Sequence, residues 1–238
     1  MFDFIRKPLL WKAWDERLDR DLGATKTFEL KSMQDLAIYS LLKDSRGLDI
    51  AEVGSGNSRI LPALSKDNHC VAIEKFEGVG GGPKSKKSLG SIPVISAYLG
   101  ERDAALRDEA FDIIFSVSVV EHVVTAEDLA AFHADQLRIL RPGGMFLHAI
   151  DMYMQDEPEP HHVRRYETYR AWVTSTPGVE PIGPVYDGPC RFSGEFATNP
   201  DNVMYAWGKS SPSLIGLRQQ SQGVSLIAGG RKLADGQG

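Results

Sequence analysis

Residues 48–60 read LDIAEVGSGNSRI, and their parsing decides the fold. Leu48, Ile50, Ala51 and Val53 form a short apolar run with the composition of a buried strand. It leads into Gly54-Ser55-Gly56, after which Asn57 or Ser58 can cap a helix carrying Ile60, Leu61 and Leu64. Pro62 falls in the first turn of that helix, where its missing N–H costs little. Strand, glycine turn and helix N-terminus together bring bare backbone and helix-end N–H groups up to a nucleotide-like ligand. The alternative is a tight strand-to-helix turn that binds nothing.

Glycine spacing separates two ligand classes. A dinucleotide loop needs a third glycine at position 59, and Arg59 stands there. The run Glu52-Val53-Gly54-Ser55-Gly56-Asn57-Ser58, an acid followed by glycines at alternate positions, resembles the S-adenosylmethionine loop of Rossmann-like methyltransferases, with Ser58 replacing the last glycine. An acid at the end of a buried strand costs desolvation unless it has a partner. A sulfonium ligand with a cationic amino group suits Glu52 better than a pyrophosphate does.

The 238 residues suffice for one α/β domain with a full core, taken as a single unit over 1–238. A hydrophobic content of 42%, a charged content of 25% and a formal charge of −5 leave no basic footprint, so nucleic acid is not an expected partner. Cys70 and Cys190 cannot make a disulfide framework, which points to a reducing compartment. The opening MFDFIRKPLLWKAW lacks the apolar core and cleavage site of a signal peptide. No apolar stretch approaches membrane-spanning length. A cytoplasmic protein without membrane association is expected.

Before the glycine turn, residues 1–47 hold two predicted helices. One covers 8–22 with Trp11, Trp14, Leu18 and Leu22 at helical spacing, and the other covers 32–43 with Ser32 as N-cap. After it, His69 to Glu74 reads as a second strand ending in an acid. In a nucleotide-binding α/β unit such an acid accepts from vicinal ribose hydroxyls, the role assigned to Glu74. Residues 76–91 are rich in glycine and contain Pro83, so they form a loop where a crossover helix would lie. Gly78 with Lys84-Ser85 nearly spells a Walker loop, but Pro83 occupies the last glycine position and the reading fails. Lys84, Lys86 and Lys87 in this loop form either a solvated face or a site for an anionic acceptor. A third strand follows at 92–97, then a short helix near 102–107 and a fourth, nearly all-apolar strand at 111–116. Thr125 with Asp128 resembles a capping box for a helix to about Leu140. Pro142-Gly143-Gly144 turns into a fifth strand, Met145 to Ile150, ending at Asp151.

FDIIFSVSVVEHV, a helix and LRILRPGGMFLHAI are together similar to the second half of the class I S-adenosylmethionine-dependent methyltransferases, in particular the type 11 group. With the Glu52 loop and Glu74, three segments occur in family order over 48–151. The resemblance implies a Rossmann-like, doubly wound, seven-stranded sheet, mostly parallel with an antiparallel last strand, plus the N-terminal helices and a helical insertion. It also implies S-adenosylmethionine as cofactor over a core of 48–151, with Glu52, Gly54, Ser55 and Gly56 lining the methionine part. Glu74 would take the ribose and Gly100-Glu101 the adenine edge, and Ser116 would lie near the sulfonium.

Beyond 151 the likeness fades. DMYMQDEPEPHHVRRY carries acids and histidines without metal-ligand spacing, so no metal site is expected. A helix near 163–174, a strand near 179–185 and a final strand at 224–228 are predicted. The long segment 186–222 between the strands reads as an inserted cap, and 232–238 as a frayed tail. The expected activity is methyl transfer to a small hydroxylated or amino-bearing metabolite or saccharide. Candidate bases are His122, His148 and Asp151. A nicotinamide-dependent oxidoreductase and a non-catalytic partner subunit of the same fold are the alternatives. At least one of the segments 8–22 and 186–222 is expected to pack over the mouth formed after Gly54, Ser116 and Asp151, with Trp11, Trp14, Tyr205 or Trp207 facing the pocket.

Overall fold

The computed structural model describes residues 1–23, 29–78, 82, 84, 85, 89–204 and 221–234. The apolar run of the glycine-turn segment is a central strand, β2 (Asp49–Val53), paired in parallel with β3 (His69–Ile73) and β5 (Phe111–Val117). Beyond β3 lies β4 (Val94–Ile95), and beyond β5 lies β6 (Leu140–Met154), both parallel. The last strand, β8 (Gln222–Lys232), runs antiparallel along β6. Its far edge is shared by β1 (Phe2–Phe4) and β7 (Val179–Pro181). The order is β1-β8-β6-β5-β2-β3-β4, with β7 also on β8. This is the expected Rossmann-like architecture with eight strands in place of seven.

The additional strand is β1. Phe2 and Phe4 point into the core while Asp3 points outward, but three alternating residues are too few for a pattern to stand out from coil. Tyr166 packs on Phe2 and Phe196 on Phe4, at ring-centroid distances of 5.0 and 5.2 Å.

Helices cover both faces. On one side α1 (Lys7–Asp15), α2 (Leu18–Asp21), α3 (Leu30–Leu42) and α4 (Ile60–Leu64) bury Leu10, Leu18, Ile38 and Leu61. On the other, α5 (Ala126–Ile139) and α6 (Pro160–Thr174) bury Phe132, Tyr166, Tyr169 and Trp172. Thr125 caps α5 as expected, its hydroxyl accepting the Asp128 N–H at 3.0 Å.

Several boundaries moved for identifiable reasons. The helix expected over 8–22 breaks at Arg17, which is left-handed (φ 62°), so α2 starts afresh at Leu18. The second helix starts at Leu30, and Ser32 serves the Arg59 guanidinium at 3.3 Å instead of capping. Of the third strand, Val94 and Ile95 pair in register with β3, and the Pro93 carbonyl accepts from Ala72 N–H at 2.9 Å. The fifth strand begins at Leu140, which pairs with Phe111 of β5, and runs through Asp151 to Met154, because β8 matches Met145–Met154 residue for residue.

Both β1 and β6 are antiparallel to β8, so the chain leaves β1 at the carboxyl edge of the parallel strands. There Ile5 N–H donates to the Ser225 carbonyl, opposite Asp151. The first turns of α3 lie over the same edge, with Lys31 Nζ donating to the Val117 carbonyl at 2.9 Å and Gln34 Nε2 to Asp151 Oδ1 at 2.6 Å. The described part of the 186–222 insertion carries a short α7 (Gly194–Thr198). It joins this end through Phe192 N–H to the Gln155 carbonyl and through Asn202 to Arg6. Trp11 is 58% exposed and Trp14 packs half-buried against the α1–α4 core. Tyr205, Trp207, Pro83, Lys86, Lys87 and the last four residues lie outside the described residues.

Candidate active site

The glycine turn is built by β2 and β3 together. Gly54 N–H donates to the Ile73 carbonyl at 2.9 Å and Gly54 is left-handed at φ +64°. The Ser58 hydroxyl accepts from Ile60 and Leu61 N–H at 3.1 and 3.0 Å, so it caps α4 and replaces a glycine without opening the turn. Arg59, where a dinucleotide loop would need glycine, reaches to α3 and pairs with Asp35 at 2.6 Å.

Glu52 is fully buried at the root of this turn, and its Oε2 has no hydrogen-bond partner among the described residues. Burial pushes its carboxyl up to about 8, against partial relief from the Ser58 hydroxyl and Lys31. Ser55 in the turn is also buried, and its hydroxyl has no hydrogen-bond partner among the described residues.

At the end of β3, Glu74 accepts from Gly56 N–H at 3.3 Å and Phe76 N–H at 3.0 Å, tying the glycine turn to the next loop. Glu101 is brought near it only indirectly. Its carboxylate pairs with Lys75 at 2.6 Å and is about half exposed. What fixes the 100–102 backbone is Asp135 of α5, which accepts from Gly100 N–H at 2.8 Å and Arg102 N–H at 3.3 Å. Sequence reading missed Asp135, because an acid inside an amphipathic helix looks like its solvated face.

The next two strands separate the remaining candidates. Ser116 and His148 lie side by side on β5 and β6 and bond each other, Oγ to Nδ1 at 2.8 Å. The other His148 nitrogen, Nε2, meets Gln136 Oε1 at 2.7 Å, and the series continues through His133 to Thr176. Both histidines are buried among Phe132, Phe146 and Trp172, which pushes His148 down to about 3 and His133 to about 4. His148 is thus a satisfied core residue facing α5, and Ser116 is turned to it, so neither side chain is brought to the mouth.

Asp151 and Ser118 face the opposite way. Ser118 donates to Asp151 Oδ1 at 3.1 Å and to Gln34 Oε1 at 2.7 Å, and burial raises the Asp151 carboxyl. His122 is exposed in the 3-10 turn Val120–His122, close enough for its charge to act on Asp151. That turn is clamped by Arg165 of α6, whose guanidinium donates to the carbonyls of Val120, Glu121, Val123 and Val124 and to the Tyr169 hydroxyl. Among the described residues, no group of three or more His, Cys, Asp or Glu is placed to hold a metal ion. Likewise, no helix is long and apolar enough to cross a membrane.

Residues 51–148 match the family model for a methyltransferase domain. A ubiquinone biosynthesis O-methyltransferase from Paramagnetospirillum magneticum is 29% identical over 116 residues, covering 46% of this chain and 43% of that protein. The chain therefore spans less than half the length of that curated relative. Among solved structures, the YcgJ protein from Bacillus subtilis superposes with a TM-score of 0.50 at 12% identity, over 90% of this chain and 99% of that one. A chain from the complex of the Haloferax volcanii Trm112 methyltransferase activator gives 0.50 at 15% identity, over 95% and 99%. At these identities the structural likeness is one of fold.

Proposed function

We propose that this chain is a class I S-adenosylmethionine-dependent methyltransferase, a reading supported by the methyltransferase-domain match over residues 51–148, and that it methylates a small molecule bearing an amino or hydroxyl group. The observation that carries the reading is Glu52, a carboxylate buried at the root of the glycine turn with one oxygen unpartnered. A cationic ligand completes it, and S-adenosylmethionine offers both a sulfonium and an ammonium. When bound, that cofactor supplies a methyl carbon made electrophilic by cationic sulfur.

In this reading Glu52, Gly54, Ser55 and Gly56 hold the methionine part and Glu74 the ribose. The 100–102 turn, pinned by Asp135, takes the adenine edge. Glu101 contributes there through its backbone, since its carboxylate is spoken for by Lys75. The chain's remaining work is to orient the acceptor, exclude water and take its proton. In this reading Asp151 or His122 performs the last task. A dinucleotide reading is disfavoured by Arg59, whose side chain is fixed to Asp35 where such a loop needs a bare backbone.

Titration with S-adenosylhomocysteine and with NAD tests the reading. The first is expected to bind and raise the melting temperature and the second to do neither; the reverse result sinks the assignment. Replacing Glu74 by Ala is expected to weaken S-adenosylhomocysteine by about 2 kcal/mol, as for lost hydrogen bonds to a charged group. The fold should survive, because the carboxylate serves two loop N–H groups and no core contact. An unchanged dissociation constant would move the ribose site elsewhere.

A further inference from the structure

Glu121 lies in the turn just past the carboxyl end of β5. The residue is partly exposed, but both carboxylate oxygens are buried; the backbone N–H groups of Glu121 and Asp151 approach them, and no side chain among the described residues hydrogen-bonds either one. The charged and titratable groups facing it are Asp151 on β6, Lys31 on α3 and Tyr169 on α6. Each is committed. Lys31 Nζ donates to the Val117 carbonyl and lies 3.9 Å from Asp35, the Tyr169 hydroxyl accepts from Arg165, and Asp151 accepts from Gln34 and Ser118. Arg165 approaches the turn with its guanidinium given over to carbonyls. Two carboxyl groups therefore meet at the mouth with acceptor capacity left over. An anionic group is repelled there, and an aliphatic one would bring no donor to the desolvated oxygens.

We propose that Glu121 and Asp151 form the acceptor subsite, and that the group it takes is a protonated amine. An ammonium brings several N–H donors for the buried oxygens and a charge that offsets the second carboxylate. A hydroxyl brings one donor and no charge. This rests on the methyltransferase reading and narrows its acceptor from amino-or-hydroxyl to amine. The nitrogen must shed a proton before it can attack, and for an amine a Glu121 oxygen receives it in place of Asp151 or His122. Burial beside Asp151 raises the Glu121 carboxyl well above its ordinary value, toward that of an amine, so the transfer is closer to balanced.

The test uses the full chain saturated with S-adenosylhomocysteine and titrated calorimetrically with methyl-, butyl- and benzylammonium chloride. Benzyl alcohol and benzoate serve as shape-matched controls. At least one ammonium is expected to bind at least about tenfold tighter than benzyl alcohol, with benzoate silent. Its affinity should rise with pH as Glu121 ionises. Glu121→Gln should remove both the preference and the pH dependence, and Asp151→Asn should narrow the preference, with S-adenosylhomocysteine affinity kept in both. Failure of every ammonium to bind, equal binding of benzyl alcohol, or a preference retained in Glu121→Gln overturns the proposal. So does magnesium binding that Glu121→Gln abolishes without any ammonium preference. Wild-type protein that fails to bind S-adenosylhomocysteine would overturn the methyltransferase reading instead.

Discussion

Gly54→Val is expected to cost at least about a hundredfold in S-adenosylhomocysteine affinity, roughly 2.7 kcal/mol, in a protein that still shows folded α/β circular dichroism. Gly54 is left-handed, a conformation a β-branched residue strongly resists. A Cβ built on it stands 2.5 Å from Val119 Cγ2, closer than any real contact. The turn would have to shift off the segment that follows β5, carrying Ser55 and Gly56 with it and breaking the Gly56–Glu74 bond. The glycine requirement thus comes from a neighbouring side chain as well as from room for a ligand, and a double variant separates the two. In Val119→Ala the nearest Val119 atom left is Cβ at 3.4 Å, an ordinary contact. Gly54→Ala/Val119→Ala should therefore regain most of the stability lost by Gly54→Ala, short of about 1 kcal/mol for the left-handed backbone. Normal ligand affinity in folded Gly54→Val would reduce the loop to a mere turn.

Glu52→Gln is expected to reverse sign with pH. In the free protein the Glu52 carboxyl is raised from 4.5 to about 8 by burial, so the folded state prefers the neutral acid. Below 4.5 both states are protonated and this preference is fully expressed. Between 4.5 and 8 the unfolded chain ionises first, and stability contributed by this group falls, by on the order of 5 kcal/mol in total. Glutamine does not titrate, so the variant should melt near or below wild type at pH 5 and clearly above it at pH 8.5. His133 and His148, depressed to about 4 and 3, act from the other side. Their contribution is present above 6.5 and lost as pH falls, in both proteins alike. The variant's gain at high pH should come with a loss of S-adenosylmethionine affinity, since the amide cannot match its cationic groups. A melting difference independent of pH would show that Glu52 is ionised in the free protein.

Much of the core was legible in the sequence because its cues are local. The apolar run at 111–117, the glycine turn with its Ser58 cap and the Thr125 cap each depend on a few adjacent residues, and each lies where periodicity and turn chemistry put it. The family resemblance over 48–151 supplied the doubly wound sheet with its antiparallel last strand and the ligand class. Local cues also explain the misses. Nothing near Arg17 announces a left-handed break, and Ser32 looks like an N-cap until Arg59 crosses from another helix to claim it.

The sequence by itself determined the parallel sheet, the loop at its carboxyl edge and the acid at each of two strand ends. Only the tertiary structure decided which polar side chains reach that edge. In β5 and β6 both faces are covered by helices, so apolar residues fill both sides and alternation no longer tells one face from the other. His148 and Asp151 differ by three positions on one strand and so point to opposite faces. Packing on α5 buries the first in a closed series of hydrogen bonds, while α3 and Ser118 hold Asp151 on the other face through Gln34 and the Ser118 hydroxyl.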